Sequence, residues 1–238
     1  MIDLIHLMKS HTSVRNFTDE KIPAELLKEW IEAGRAASNW KNFQSYSIII
    51  VSSETQKSKI FEIQAQKSIK NCATFLVFVG DLNRAEKAVA LNQGDFQPKG
   101  VESILISTVD ASLAAENVLL AAEAMDYGGV IVGLIRDQSA EISELLGLPD
   151  YTFPLFGIAL GKPARKNAVK PRLPYESMVF NETYHVQDEA TILAYDKTQS
   201  DYAGKRRLDS TWSERMVQQW GVPEIKSSTQ LLKAKKLL

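Results

Sequence analysis

Two short basic segments carry residue types suited to holding an anion: His11-Thr12-Ser13-Val14-Arg15 near the start and Lys170-Pro171-Arg172-Leu173-Pro174 far downstream. Arg presents a planar fork of donors that matches phosphate oxygens, Lys adds a point charge, and Ser adds a rotatable hydroxyl. Pro171 and Pro174 flank Arg172 and stiffen the backbone there, so such a loop loses less entropy when it captures a ligand. The two segments read together as a phosphate clamp. Over 238 residues the formal net charge is only -1. The chain as a whole therefore has no general attraction for nucleic acid or an anionic membrane, and the clamp is a local, small-ligand site.

Other chemistries are poorly supplied. There is no GxSxG elbow, and His6, His11 and His185 are the only imidazoles, which argues against nucleophilic hydrolysis. HExxH is missing and the histidines are far apart, so no metal centre is expected. GxxxxGK[ST] and GxGxxG are also absent. The stretch Gly128 to Gly133 has glycines that open a strand rather than a helix, so a Rossmann domain is not indicated. The single Cys72 rules out an intramolecular disulfide framework and sits beside the apolar run Ala73 to Val79, where burial is expected. A reducing cytoplasm fits this usage. Met1 to Lys9 is a short amphipathic pattern interrupted by Asp3 rather than a signal peptide, and no run approaches the ~20 apolar residues of a membrane span.

The clamp must be positioned by a mixed set of elements. With 45% hydrophobic and 24% charged residues the chain can bury one substantial core. Helices are expected at Leu4 to Met8, after Pro23, over Gln56 to Lys70 and, longest of all, over Val101 to Met125. Strands are expected at Ser45 to Val51, Ala73 to Gly80, Val130 to Ile135 and Phe153 to Leu160. Gly128-Gly129 is the expected left-handed stop of the long helix, and Ser139 to Leu146 a further helix. The long helix is dense in alanine, from Ala111 to Ala124, which suits either a core helix or one at a dimer interface. The order of elements predicts an α+β fold around a mainly antiparallel or mixed sheet. Beyond Arg172, helical patterns at Asp188 to Tyr195 and Thr211 to Trp220, a polar stretch from Lys197 to Asp209 and a Lys-rich tail from Ser227 read as an extension.

The order of these segments is similar to that of the nitroreductase family, most closely its NADPH-preferring flavin reductase branch. The resemblance runs from about His6 to about Trp212. It is carried by His11 to Glu20, Gly34-Arg35-Ala36-Ala37-Ser38, Gln66-Lys67, Asp81-Leu82-Asn83-Arg84, Ala121 to Ala124 through Gly128-Gly129-Val130, Leu155-Phe156-Gly157 and Lys170 to Pro174. Taken singly, each is an ordinary surface or packing motif; their order and spacing are specific.

The resemblance implies a single nitroreductase-like domain over 1–238, with an FMN-binding core of about 1–175 and an extension of about 176–238 that wraps a homodimer. Each FMN site would draw on both chains, which favours the interface for the Ala-rich helix. His11, Thr12, Ser13 and Arg15 would meet the flavin phosphate, ribityl chain or pyrimidine edge, with Lys170 and Arg172 adding charge. Ser38 and Asn39 would come from the partner chain, Gln66 would reach the pyrimidine edge, and Val132 and Gly133 would place backbone amides near N5. The cofactor carries the chemistry, with Arg15 or Lys170 stabilising the negative charge that develops at N1 on reduction. NADPH is the expected reductant, with NADH possible, and Lys205, Arg206 and Arg207 would meet its 2'-phosphate. The acceptor is a small molecule such as free flavin, a nitroaromatic or a quinone. Neither nucleic acid nor membrane is an expected partner. A non-catalytic flavin-binding redox sensor is the competing class.

Overall fold

Runs rich in β-branched and aromatic residues form the strands of the computed structural model, which describes residues 3–165, 167–204, 209–221 and 228–238. The strands are β1 (Tyr46–Val51), β2 (Thr74–Asp81), β3 (Gly128–Val132) and β4 (Thr152–Gly161), arranged in a four-stranded sheet of order β1-β2-β4-β3. Every neighbouring pair is antiparallel. The α+β fold and its antiparallel sheet are as expected.

Both faces of the sheet are covered, and the alternation along β2 shows how. Leu76 and Phe78 join Ile158, Leu160, Trp30 and Val118 in one apolar cluster, while Phe75, Val77 and Val79 join Ile60, Ile69, Val130 and Val132 in another. Alternate side chains of a strand point to opposite faces, so a strand buried on both reads as a nearly unbroken apolar run. The first cluster is roofed by α2 (Ala24–Arg35) and α6 (Val101–Glu123), and the second by α3 (Glu54–Ile63) and α4 (Lys67–Asn71). The remaining helices of this unit are α1 (Leu4–Lys9), α5 (Asn83–Leu91), α7 (Ser139–Leu145) and α10 (Thr229–Ala234).

Four local expectations are corrected. The single helix over Gln56 to Lys70 is two helices, because Gln64 leaves the helical region at φ -133° and ψ 91°. Ile60 and Ile69 are both fully buried; nine residues apart, about two and a half turns, they would lie on opposite faces of one continuous helix. The break brings both onto the same cluster. Secondly, the left-handed residue after α6 is Asp126 (φ 61°), not Gly128 or Gly129. Those glycines open β3, where a Cβ on Gly129 would stand 2.7 Å from the Ala159 carbonyl oxygen. Thirdly, β3 ends at Val132 and continues as a 3-10 turn, Gly133–Arg136. Finally, α6 is long and apolar enough to cross a membrane. Its Ala111, Ala114, Ala115 and Val118 are instead buried against the sheet and α2, as in the core helix of a globular unit.

The chain divides into two compact units, Met1–Asn167 with Lys226–Leu238, and Ala168–Ile225. In the first, the Lys-rich tail is an integral strap: Leu237 is fully buried, Tyr151 N–H donates to the Lys235 carbonyl at 3.0 Å, and Lys236 pairs with Asp150 at 2.6 Å. The second unit is built on α8 (Glu189–Ala203) and α9 (Trp212–Trp220). There the expected helix at Asp188 to Tyr195 runs on to Ala203, taking in much of the polar stretch; Lys197 and Asp201 pair at 2.7 Å across one turn. Tyr195 packs edge-on against Trp212, and the Asp196 carboxylate accepts from Ser213 N–H at 2.9 Å.

Candidate functional site

The loop carrying His11 to Arg15 is laid along the sheet by backbone hydrogen bonds. Val14 N–H donates to the Gly129 carbonyl at 2.8 Å, Thr18 N–H to Lys162 at 2.9 Å, and Ala164 N–H returns to Asn16 at 3.0 Å. The Asn167 side-chain amide donates to the Ser13 carbonyl at 2.9 Å. Val14 is buried as the anchor, whereas Arg15 is exposed and His11, Thr12 and Ser13 are half-buried. Close seating depends on Gly128: a Cβ there would come within 2.8 Å of Val14 Cγ2. The sequence therefore buries one apolar residue of the loop and leaves its polar neighbours accessible.

His11 is oriented by a residue that the sequence reading missed. Its Nδ1 lies 2.7 Å from Glu123 Oε1, with the Glu123 side chain only 10% exposed. An ionised carboxylate only accepts, so Nδ1 carries the proton in this contact. Glu123 is the last residue of α6. In sequence it is 112 residues from His11, and no local pattern links them.

Three of the expected segments border the second apolar cluster. Phe17 packs on it from the end of the loop, Ile69 enters it from α4, whose first turn Gln66 precedes, and Val132 contributes from the end of β3. Gln66 is half-buried and its carbonyl accepts from Ile69 N–H at 2.9 Å. Gly133 follows at the start of the 3-10 turn, with the Arg136 guanidinium against it: a Cβ on Gly133 would stand 3.1 Å from Arg136 Nη2. Since β3 is an edge strand, one side of its backbone has no neighbouring strand among the described residues.

Ser38 and Asn39 follow α2 in a turn that is held by Asp110, also unforeseen. Asp110 is buried on α6 and accepts from Trp40 N–H at 2.9 Å and from Ser45 N–H at 3.1 Å. Ser38 is exposed; Asn39 Oδ1 accepts from Gln44 N–H at 3.2 Å.

Lys170 and Arg172 belong to the second unit, where both are exposed. Their segment is tied to α8, since Tyr195 donates to the Pro171 carbonyl at 2.8 Å and Tyr202 to that of Ala168 at 2.8 Å. Arg172 Nη1 reaches the Lys170 carbonyl at 3.2 Å. Lys205, Arg206 and Arg207 lie outside the described residues. Cys72 takes no part: burial pushes its thiol up to about 12 against the opposing pull of Lys57, so it stays protonated at neutral pH and is a poor nucleophile.

The structure thus seats a loop of cation, imidazole and hydroxyl groups on the edge strand β3, a few residues before Val132 and Gly133. The chain belongs to the nitroreductase family: residues 8–162 match the Nitroreductase family and residues 170–238 the Nitroreductase family, C-terminal domain. It is 38% identical over 226 residues to the FMN reductase [NAD(P)H] of Bacillus subtilis, covering 91% of this chain and 90% of that protein. Among solved structures it is similar to B. megaterium NfrA2 (TM-score 0.94, 32% identity, 99% of this chain and 98% of that one). The NADPH:FMN oxidoreductase from Vibrio harveyi, solved in complex with NAD+, superposes with a TM-score of 0.90 at 33% identity, with 98% of each chain covered.

Proposed function

We propose that this protein is an FMN-dependent NAD(P)H oxidoreductase of the flavin reductase and nitroreductase type. The residues present fit the cofactor. FMN combines a phosphate dianion, a polyol and a broad apolar ring with polar edges. The pinned loop offers His11, Ser13 and Arg15 at one point of β3, and Val132 and Gly133 follow about 10 Å further along the strand. When bound, FMN would supply the two-electron chemistry that links a nicotinamide donor to the acceptor.

The chain's own residues bind and orient. Thr12 and Ser13 serve the phosphate and ribityl end, and Gln66 meets the pyrimidine edge. Arg15 stabilises negative charge near N1. In the second unit, Lys170 and Arg172 are further cations suited to an anionic group. The observation that supports the reading is the Val14 hydrogen bond to Gly129 together with the His11–Glu123 contact, which hold the polar loop in a fixed position on edge strand β3. The relatives are named for reductase and oxidoreductase activities, which favours turnover over a redox-sensing module.

The working form is a homodimer. Val101, Leu105, Val109 and Leu113 recur at every fourth residue of α6 and are all exposed. An apolar helical stripe of this kind needs cover, and a second copy supplies it. Ser38 and Asn39 of one chain then serve the site of the other. The protein acts in the cytoplasm on small molecules, without nucleic acid or membrane as partner. NADPH is the preferred donor, held through Lys205, Arg206 and Arg207, and the acceptor is free flavin, a nitroaromatic or a quinone.

The test is direct. Purified protein should be yellow, bleach with NADPH under nitrogen and recover its colour on adding a quinone, with parallel double-reciprocal lines for donor against acceptor. Colour indifferent to NADPH points to the sensor, and intersecting lines to separate donor and acceptor sites. Neutralising Arg206 and Arg207 together should raise the Michaelis constant for NADPH far more than that for NADH.

A further inference from the structure

A cavity of about 460 Å³ lies within the first unit, next to the turn that follows β3. Its chemistry is mixed. The lining combines Arg136 and the hydroxyl-bearing Thr108, Ser112 and Ser139 with the apolar Phe153, Phe156, Leu231 and Leu232. Among the described lining residues there is one cation and no carboxylate.

Arg136 is held in place by an irregularity in the sheet. In the β2–β4 ladder Phe78 pairs with Phe156 and Val79 with Pro154, so Leu155 is an extra, unpaired residue. Pro154 has no N–H to give, and the ladder of β3 on β4 reaches only to Gly157. The Leu155 carbonyl is thus released from the sheet, and Arg136 Nη1 donates to it at 2.6 Å. That bond spends one donor of the guanidinium and fixes its plane, while no other described hydrogen bond or ion pair uses the rest. A preorganised guanidinium in a cavity that also has an apolar lining suits a singly charged oxyanion attached to a ring. The volume lies in the range of small-molecule sites.

We propose that this cavity binds an aromatic monoanion, a ring system bearing one carboxylate or sulfonate, with Arg136 as the anion-recognising residue. Arg136 also lies against Gly133, so a ligand anchored there sits beside the edge assigned to the flavin ring. The cavity selects anionic aromatic acceptors; this part rests on the oxidoreductase reading above.

Isothermal titration calorimetry on the FMN-loaded protein should find 2-naphthoate and naphthalene-2-sulfonate binding about tenfold or more tighter than the neutral 2-naphthylmethanol, the scale of one charge-assisted contact. Arg136→Gln keeps a donor for the Leu155 carbonyl but removes the charge, and should abolish the preference while leaving the alcohol's affinity unchanged. Ser139→Asp leaves the Arg136 bond alone and places a like charge on the wall, so it should reject the anions even if the first variant folds poorly. In turnover, Arg136→Gln should lower kcat/KM for 4-nitrobenzoate relative to its methyl ester by a similar factor. If the wild type binds anion and alcohol equally, or both variants keep the preference, the inference is overturned while FMN content and bleaching by NADPH still stand. A protein that holds no FMN overturns the oxidoreductase reading and the acceptor role with it; the calorimetry then judges the cavity alone.

Discussion

Glu123 occupies an electrostatically poor position, a carboxylate at the C-terminal end of α6 where the helix dipole disfavours negative charge. Its retention there is explained by His11, whose ring it holds at 2.7 Å. Removing it should therefore loosen the site without weakening the helix. Glu123→Ala is expected to weaken FMN binding by about threefold to tenfold, the scale of one net hydrogen bond, with the midpoint of unfolding nearly unchanged. Glu123→Gln, which keeps the acceptor oxygen, should lose less. Flavin fluorescence titration checks both, and an equal loss in the two variants would show that charge rather than ring orientation matters. At this scale the sequence displays the types that can bind, His11, Ser13 and Arg15, since those types declare their chemistry. It hides the residue that aims them, because a carboxylate 112 positions away becomes a neighbour only through the fold.

The turn between α2 and β1 illustrates how an element depends on another. Lys41, Asn42 and Gln44 all adopt left-handed backbone angles, with φ of 49°, 59° and 53°, each unfavourable for a non-glycine residue. The turn persists because Asp110 accepts from two of its backbone donors and Arg84 donates to the Gln44 carbonyl at 2.7 Å. Asp110→Ala would strand the Trp40 and Ser45 N–H groups and should cost about 2–4 kcal/mol. Asp110→Asn, which keeps one acceptor, should cost about half of that. Urea unfolding would register the loss as a lower midpoint at unchanged slope; a shift under 0.5 kcal/mol, roughly the effect of a surface substitution, would show that the turn is held otherwise. Periodicity located the strands and most helices because β-branched runs and apolar spacing are local properties. It missed the break at Gln64, since a polar residue is equally at home inside an exposed helix and just beyond its end. Ile60 and Ile69 force the break only when there is a common cluster to enter.

For the whole molecule, the exposed stripe on α6 is the feature most in need of a partner. Leu105→Glu with Val109→Glu puts two charges into it and should convert a dimer into a monomer in sedimentation, with FMN lost along with the shared site. A dimer that survives both charges would place the interface elsewhere. Neither residue takes part in the buried core, so the folded unit should remain. Composition, charge balance and the spacing of apolar residues made the class of fold and the antiparallel sheet readable, because each rests on side-chain type or on patterns a few residues long. The strap that returns Leu237 to the core, the Asp110 and Glu123 supports, and the seat of Arg136 on the Leu155 bulge could not be read in the same way. Each joins positions 19 or more residues apart, and a buried polar group finds its partner only once the apolar clusters have packed and fixed which backbone donors and carbonyls are left to satisfy.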